Sequence, residues 1–239
     1  MRTSTTLLPC MMLLGYALTV GTAQAAAPDI MRGETIFNEG KGDAAACQGC
    51  HGEKGLGNDS MGAPRLANIG QYYLAKQLGD FADDKRTPEG AGAAMNDFAK
   101  ALNEQDRLDV AGFLDTLEYA EELSDLKALA EDGNKVGDPN AGKLIVTKGI
   151  RGKVPACQDC HGFNGRASKF PAINQQKYVY LVNQLNAWRA DTRANDPTVG
   201  KTGVMRGIAK KLSDDDIINI AAYLSVSPRV APGGDGKKK

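Results

Sequence analysis

Histidine is scarce in this chain: 239 residues hold only two, His51 and His161. Aromatic residues make up 6% with a single tryptophan, so any core must be small and in need of an additional staple. No convincing alternation of apolar and polar residues appears anywhere, which removes the strand signal. The βαβ setting of a thioredoxin-like thiol pair and the dinucleotide fingerprint that follows a strand go with it. The basic residues are dispersed and no reading module is evident, so nucleic acid is not an expected partner. The longest apolar run, Leu7 to Val20, is shorter than the roughly 18–20 residues that span a bilayer. It follows Arg2 and precedes Ala23-Gln24-Ala25, the order of a secretory signal peptide. Cleavage is expected after Ala25 or Ala27, which places the mature protein in the periplasm and removes Cys10.

Four cysteines remain, all in C-x-x-C pairs. Ala46-Cys47-Gln48-Gly49-Cys50-His51-Gly52 recurs 110 residues later as Ala156-Cys157-Gln158-Asp159-Cys160-His161-Gly162. Met95 recurs as Met205 at the same offset, while Tyr73, Leu74, Gln77 and Leu78 recur as Tyr180, Leu181, Gln184 and Leu185 at 107. A methionine therefore stands 44 residues after each histidine, in spite of an intervening indel. Each repeat reads as an opening helix (Ile30 to Asn38; Asn140 to Lys148), the motif, and a middle helix (Tyr72 to Phe81; Tyr178 to Ala190). A methionine loop and a closing helix follow, the latter starting at Asn103 or Ser213 with an aspartate three residues on. The fold class is all-α, in two tandem domains. Residues 28–120 form the first and 138–228 the second, joined by a breaker-rich linker over 121–137 and followed by a disordered basic tail over 229–239.

C-x-x-C-H is the c-type haem attachment signature. Two sulfurs three positions apart add to the two vinyl groups of one porphyrin, and the adjacent histidine faces the iron. Cys47, Cys50, Cys157 and Cys160 are thus the expected attachment points of two haem c groups, with His51 and His161 as axial iron ligands. Zinc shared between the pairs would need ligands separated by a gap of 106 residues, far beyond the usual spacing of about 15–20. With both histidines committed, bis-histidine ligation is excluded. In the second repeat Met205 is the sole methionine, so it is the sixth ligand or the site is open or lysine-bound. In the first, Met61 and Met95 compete and the repeat selects Met95. Methionine packing in the core is the alternative for each, and Met31, in the opening helix, reads as packing. His/Met ligation fills both axial positions and favours electron transfer over oxygen chemistry. A peroxidase would need an open position and a spare acid–base group, so the chain reads as an electron carrier and not an enzyme.

These residues resemble the dihaem cytochrome c4 family, two class I cytochrome c domains in tandem, over Pro28 to about Pro228. The resemblance implies a periplasmic carrier, loosely membrane-associated, that takes electrons from a quinol-oxidising cytochrome bc-type complex or a dehydrogenase and passes them to a terminal oxidase. The alternative is a permanent electron-transfer subunit of a periplasmic dehydrogenase. The resemblance further implies that Pro64 and Pro171 support the histidines. Gly33 and Gly142 would let the opening helix pack on the closing one, against Phe113 and Tyr223. Tyr72, Tyr73, Tyr178, Tyr180 and Trp188 are either haem contacts or plain core. Finally, the net charge of zero conceals an imbalance: residues 29–134 carry a net −11 and residues 135–239 a net +10. This dipole either orients docking of differently charged partners or holds the two domains together.

Overall fold

The computed structural model describes residues 27–118, 120–161, 170–199 and 202–229. The signal segment and the tail from residue 230 lie outside them. The first domain comprises α1 (Ile30–Glu39), α2 (Gln48–His51), α3 (Gln71–Ala82), a 3-10 turn (Gly90–Ala93), α4 (Ala94–Ala101) and α5 (Glu104–Thr116). After α6 (Leu126–Glu131) the second repeats the order with α7 (Pro139–Lys148), α8 (Gln158–His161), α9 (Tyr178–Arg189), α10 (Val204–Ala209) and α11 (Asp214–Val226). Two-residue strands, Thr198–Val199 and Thr202–Gly203, pair ahead of α10. That hairpin was not expected, because two residues are too few to show alternation.

Both closing helices start in a capping box. Asn103 and Ser213 accept from the amides of Asp106 and Asp216, whose carboxylates return to the cap amides. Each cap satisfies amide donors that the first turn otherwise leaves unpaired, worth about 1 kcal/mol. The opening helices are capped by Asp29 and Asp138. They lie across the closing ones, α1 on α5 and α7 on α11, and the crossing points are glycines. A Cβ at Gly33 would sit 2.5 Å from the Asp109 carbonyl carbon, and one at Gly142 2.5 Å from that of Asn219 and 2.9 Å from Tyr223 Cβ.

One core gathers Ile36, Phe37, Leu74, Val110, Phe113 and Leu114, the other Val146, Tyr178, Leu181, Leu185, Ile217 and Leu224. The segment 121–137 holds a short helix, α6, ahead of its breaker-rich end. Leu129 of α6 is buried in the second core, and Leu126 and Val136 pack against that core. Arg229, read as the first residue of the tail, is likewise buried and donates to the carbonyls of Ala67 and Asn68 in the first domain. Among the described residues no helix is long and apolar enough to cross a membrane.

Candidate functional site

Each motif occupies a single helical turn. His51 and Cys50 amides donate to the Cys47 carbonyl at 3.0 and 3.3 Å, and His161 and Cys160 repeat this on Cys157. Residues i, i+3 and i+4 of a turn share one face, so both thiols and the imidazole project together. The turn is tied to the opening helix by Gln48, whose side-chain amide donates to Asn38 O at 2.7 Å, and by Gln158 on Thr147 O at 3.1 Å.

His51 Nδ1 lies 2.9 Å from Pro64 O, and His161 Nδ1 2.9 Å from Pro171 O. A carbonyl only accepts, so Nδ1 carries the proton and Nε2 keeps its lone pair. Burial holds both imidazoles below their ordinary pKa, partly offset by these hydrogen bonds, and so keeps them neutral. A buried neutral imidazole with a fixed tautomer is what iron ligation needs. Behind Pro64 the chain turns at Gly57, φ +83°, where a Cβ would meet Arg65 N at 2.5 Å; only glycine fits.

No disulfide joins the four cysteines. Burial pushes the Cys47 and Cys157 thiols up to about 11, the opposite of a reactive redox thiol. Among the described residues no cluster of three or more His, Cys, Asp and Glu could hold a metal ion. Met95 and Met205 are each the second residue of a short helix, α4 and α10, and each is half-buried. Met61 is 45% exposed. Met31, expected to pack, is 80% exposed: α1 turns Gly33, Ile36 and Phe37 inward and Met31 falls on the other face.

Between the domains lies a polar seam that motif reading did not find. Arg86 donates to Gln77 of its own domain and to Tyr180 and Gln184 of the other. Arg193 reciprocates, donating to Gln184 of its own domain and across to Tyr73 and Gln77. Arg86 stands over Phe81 and Arg193 over Trp188, at 4.6 and 4.2 Å. Tyr73, Gln77 and Arg86 are related to Tyr180, Gln184 and Arg193 by the same offset of 107, so extending that register to arginine would have revealed the cluster. Tyr72, by contrast, is 64% exposed, and Tyr178 is buried core with its hydroxyl on Lys135 O. Both arginines are buried, yet no carboxylate among the described residues pairs with either. Burial raises the pKa of Tyr180, but Arg86 and Arg193 outweigh it and bring the phenol down to about 8, a sign of surplus positive charge. Two buried cations without an acid suit the anionic propionates of a porphyrin. Paired thiols and a neutral imidazole suit its vinyls and its iron. The residues present therefore fit two covalent haems.

The cytochrome c family model matches twice, over residues 30–118 and 140–227. The chain is similar to cytochrome c4 of Pseudomonas aeruginosa, 33% identical over 77% of this chain and 85% of that one. It is also similar to a thiosulfate dehydrogenase electron acceptor of Stutzerimonas stutzeri, 33% identical over 89% and 93%. Among solved structures, reduced cytochrome c4 from Pseudomonas stutzeri superposes with TM-score 0.65 at 31% identity, covering 83% of this chain and 98% of that one. Thiosulfate dehydrogenase from Marichromatium purpuratum superposes at 0.71 and 28% identity over 85% of this chain, which spans only 40% of that longer protein. The repeat, the paired motifs, the all-α domains and these likenesses converge: the chain belongs to the dihaem cytochrome c4 family and is an electron-transfer protein carrying two covalently attached haem c groups.

Proposed function

We propose that the chain is a periplasmic electron carrier in which Cys47 and Cys50 hold one haem and Cys157 and Cys160 the other. His51 with Met95, and His161 with Met205, are the axial ligands. The domains are taken as 28–120 and 138–228, joined through 121–137. The bound haem supplies a one-electron iron couple. The protein's part is to hold the imidazole rigid through Pro64 or Pro171, exclude water with the two cores, and close the sixth position with a thioether. The observation that carries the reading is the repeated buried histidine whose Nδ1 is fixed on a proline carbonyl, leaving the Nε2 lone pair free to bind iron.

Electrons come from a quinol-oxidising complex or a dehydrogenase and leave to a terminal oxidase. The relatives named as thiosulfate dehydrogenase electron acceptors support a dehydrogenase as donor. The test is to purify the protein from its native membrane fraction, count haems per chain, and add carbon monoxide to the reduced form. Two haems without carbon monoxide binding at neutral pH are expected; binding at either haem would refute six-coordination.

A further inference from the structure

Each motif histidine leans on a peptide unit whose other end is held by the opposite domain. The Pro64 carbonyl that fixes His51 Nδ1 belongs to the same planar peptide as the Arg65 N–H. That N–H donates at 2.7 Å to Gln176 Oε1 of the second domain, and Gln176 closes the clasp by donating from Nε2 to Arg65 O at 2.9 Å. Gln176 Oε1 also accepts from the Lys177 N–H at 2.9 Å, so two donors on one side and a carbonyl on the other admit a single orientation of the amide. Arg65 and Gln176 are both buried, which keeps water from competing for these bonds. The second domain mirrors the arrangement. The Pro171 carbonyl fixes His161 Nδ1, and the Ala172 N–H of the same peptide donates at 3.1 Å to Ile69 O of the first domain. Ala172 is itself buried in the first domain's core.

The two arms are related by the repeat and yet are built differently. At the offset of 107, Pro64 falls on Pro171, Arg65 on Ala172 and Ile69 on Gln176. Asn68 and Gln175, one position earlier, share a left-handed backbone at φ +59° and +55°, and their amides donate to Leu114 O and Leu224 O of the closing helices. The acceptor is what differs: the main-chain carbonyl of Ile69 in one direction, the side-chain amide of Gln176 in the other. An N–H that donates pushes electron density onto the carbonyl of its own peptide, and bonds linked in this way strengthen one another by about 10–30% each. A stronger acceptor at Pro64 draws the Nδ1 proton away from the imidazole and makes the Nε2 lone pair more basic, which favours the ferric state of a bound iron.

We propose that Gln176 is a positioning residue for electron transfer at the haem of the opposite domain: it polarises the Pro64–Arg65 peptide, strengthens the bond from His51 Nδ1 and holds the first haem's reduction potential down. This rests on ligation of that haem by His51. Ile69 serves His161 through a main-chain carbonyl that no side-chain replacement removes, so Gln176 is the adjustable arm. The potentials of both haems are in consequence properties of the packed pair of domains and not of either domain alone.

The test uses the full holoprotein with isotope-labelled histidine, observed by NMR in the reduced, diamagnetic state. Two histidines in the chain give two ring Nδ1–H signals, assigned by their contacts with residues of each domain. Gln176→Met keeps the length of the side chain and removes the oxygen acceptor, whereas Gln176→Glu keeps an acceptor oxygen in either protonation state. In Gln176→Met the His51 Nδ1–H signal should move upfield, the mark of a weaker hydrogen bond, while that of His161 stays. Redox titration of the same variant should show the first haem easier to reduce by about two- to fivefold in its ferrous-to-ferric ratio at fixed potential. That is about 20–40 mV, at roughly 59 mV per tenfold for one electron. In Gln176→Glu the His51 signal should stay at its wild-type position or lie downfield of it. An unmoved His51 signal in Gln176→Met, or equal movement at both histidines, overturns the relay. Should Gln176→Met fail to fold, Gln176→Glu decides alone, and an upfield His51 signal there overturns it. Haem count and the reduced spectrum report separately on attachment, and a His51 ring without the large upfield shift that a porphyrin imposes on its axial ligand refutes the ligation on which the relay rests.

Discussion

Gly142→Ala is the most direct probe of how the second haem domain is assembled. The added Cβ would lie 2.5 Å from the Asn219 carbonyl carbon and 2.9 Å from Tyr223 Cβ, whereas ordinary contact begins at 3.4 Å. The atoms it meets belong to the α11 backbone, the Asn219 carbonyl oxygen nearest of all, and to a Cβ fixed on it, so α7 must retreat by about 1 Å or more. Overpacking of this kind costs about 1–3 kcal/mol. A gap of roughly 0.5–1 Å forfeits a quarter to a half of the dispersion attraction along the rest of the interface. Alanine returns about 1 kcal/mol as a better helix former than glycine. Taken from the upper half of the overpacking range, the net loss is about 1–2 kcal/mol, which at roughly 4–8 °C per kcal/mol lowers the melting midpoint of that domain by about 4–16 °C. Gly79→Ala is the control, since nothing lies within 4 Å of its added Cβ and it should gain about 0.5–1 kcal/mol. Thermal melts followed by far-UV circular dichroism and haem absorbance would separate the two. A midpoint for Gly142→Ala equal to that of Gly79→Ala would refute the steric reasoning.

Three further outcomes are expected. Met205→Leu should lose the methionine–iron charge-transfer band at one of the two haems, lower that haem's potential and admit carbon monoxide to it, and Met95→Leu should do the same at the other. An unchanged spectrum in either variant would remove that methionine from the iron. Arg193→Gln withdraws a buried positive charge that favours the reduced state, so redox titration should show a lower potential for at least one haem. It also takes a donor from the Tyr73 hydroxyl, at about 1–3 kcal/mol, whereas Gln77 still accepts from Arg86 and Asn195. Unaltered potentials would show that the seam is structural only. Asp109 is buried with Arg32 and the Asp29 amide as partners, and although desolvation opposes it these bonds depress its pKa. Its contribution is therefore complete above the unfolded value of about 3.9 and lost as pH falls through the lower folded value. Asn219 takes the corresponding place in the second domain, where it accepts from the Asp138 amide without titrating. Asp109→Asn should flatten the acid limb of first-domain unfolding, read by haem absorbance, and an unchanged limb would place the acid lability elsewhere.

Much of this molecule is legible in local rules. C-x-x-C-H projects two thiols and an imidazole from one turn because positions i, i+3 and i+4 of a helix share a face. Asn103 with Asp106, and Ser213 with Asp216, cap helices within four residues, and the middle helices begin and end within a residue or so of their apolar periodicity. Met31 was misread because its helix is amphipathic on a narrow stripe, and one apolar residue can fall outside that stripe. The polar and breaker residues of 121–137 suggest a linker, but they do not disclose that Leu129 has a core within reach.

What the sequence determined by itself is the chemistry: two attachment motifs, two histidines and no more, a methionine at a constant distance from each, and therefore two haems in an all-α repeat. These follow from covalent spacing and helical period, which act over a few residues. Tertiary structure alone decided which carbonyls fix the imidazoles and how Arg86 and Arg193 exchange partners across the seam. Those contacts join residues up to 120 apart in the chain, as Arg193 and Tyr73 are. No local propensity encodes them, because they exist only once both domains have packed and water has been excluded between them.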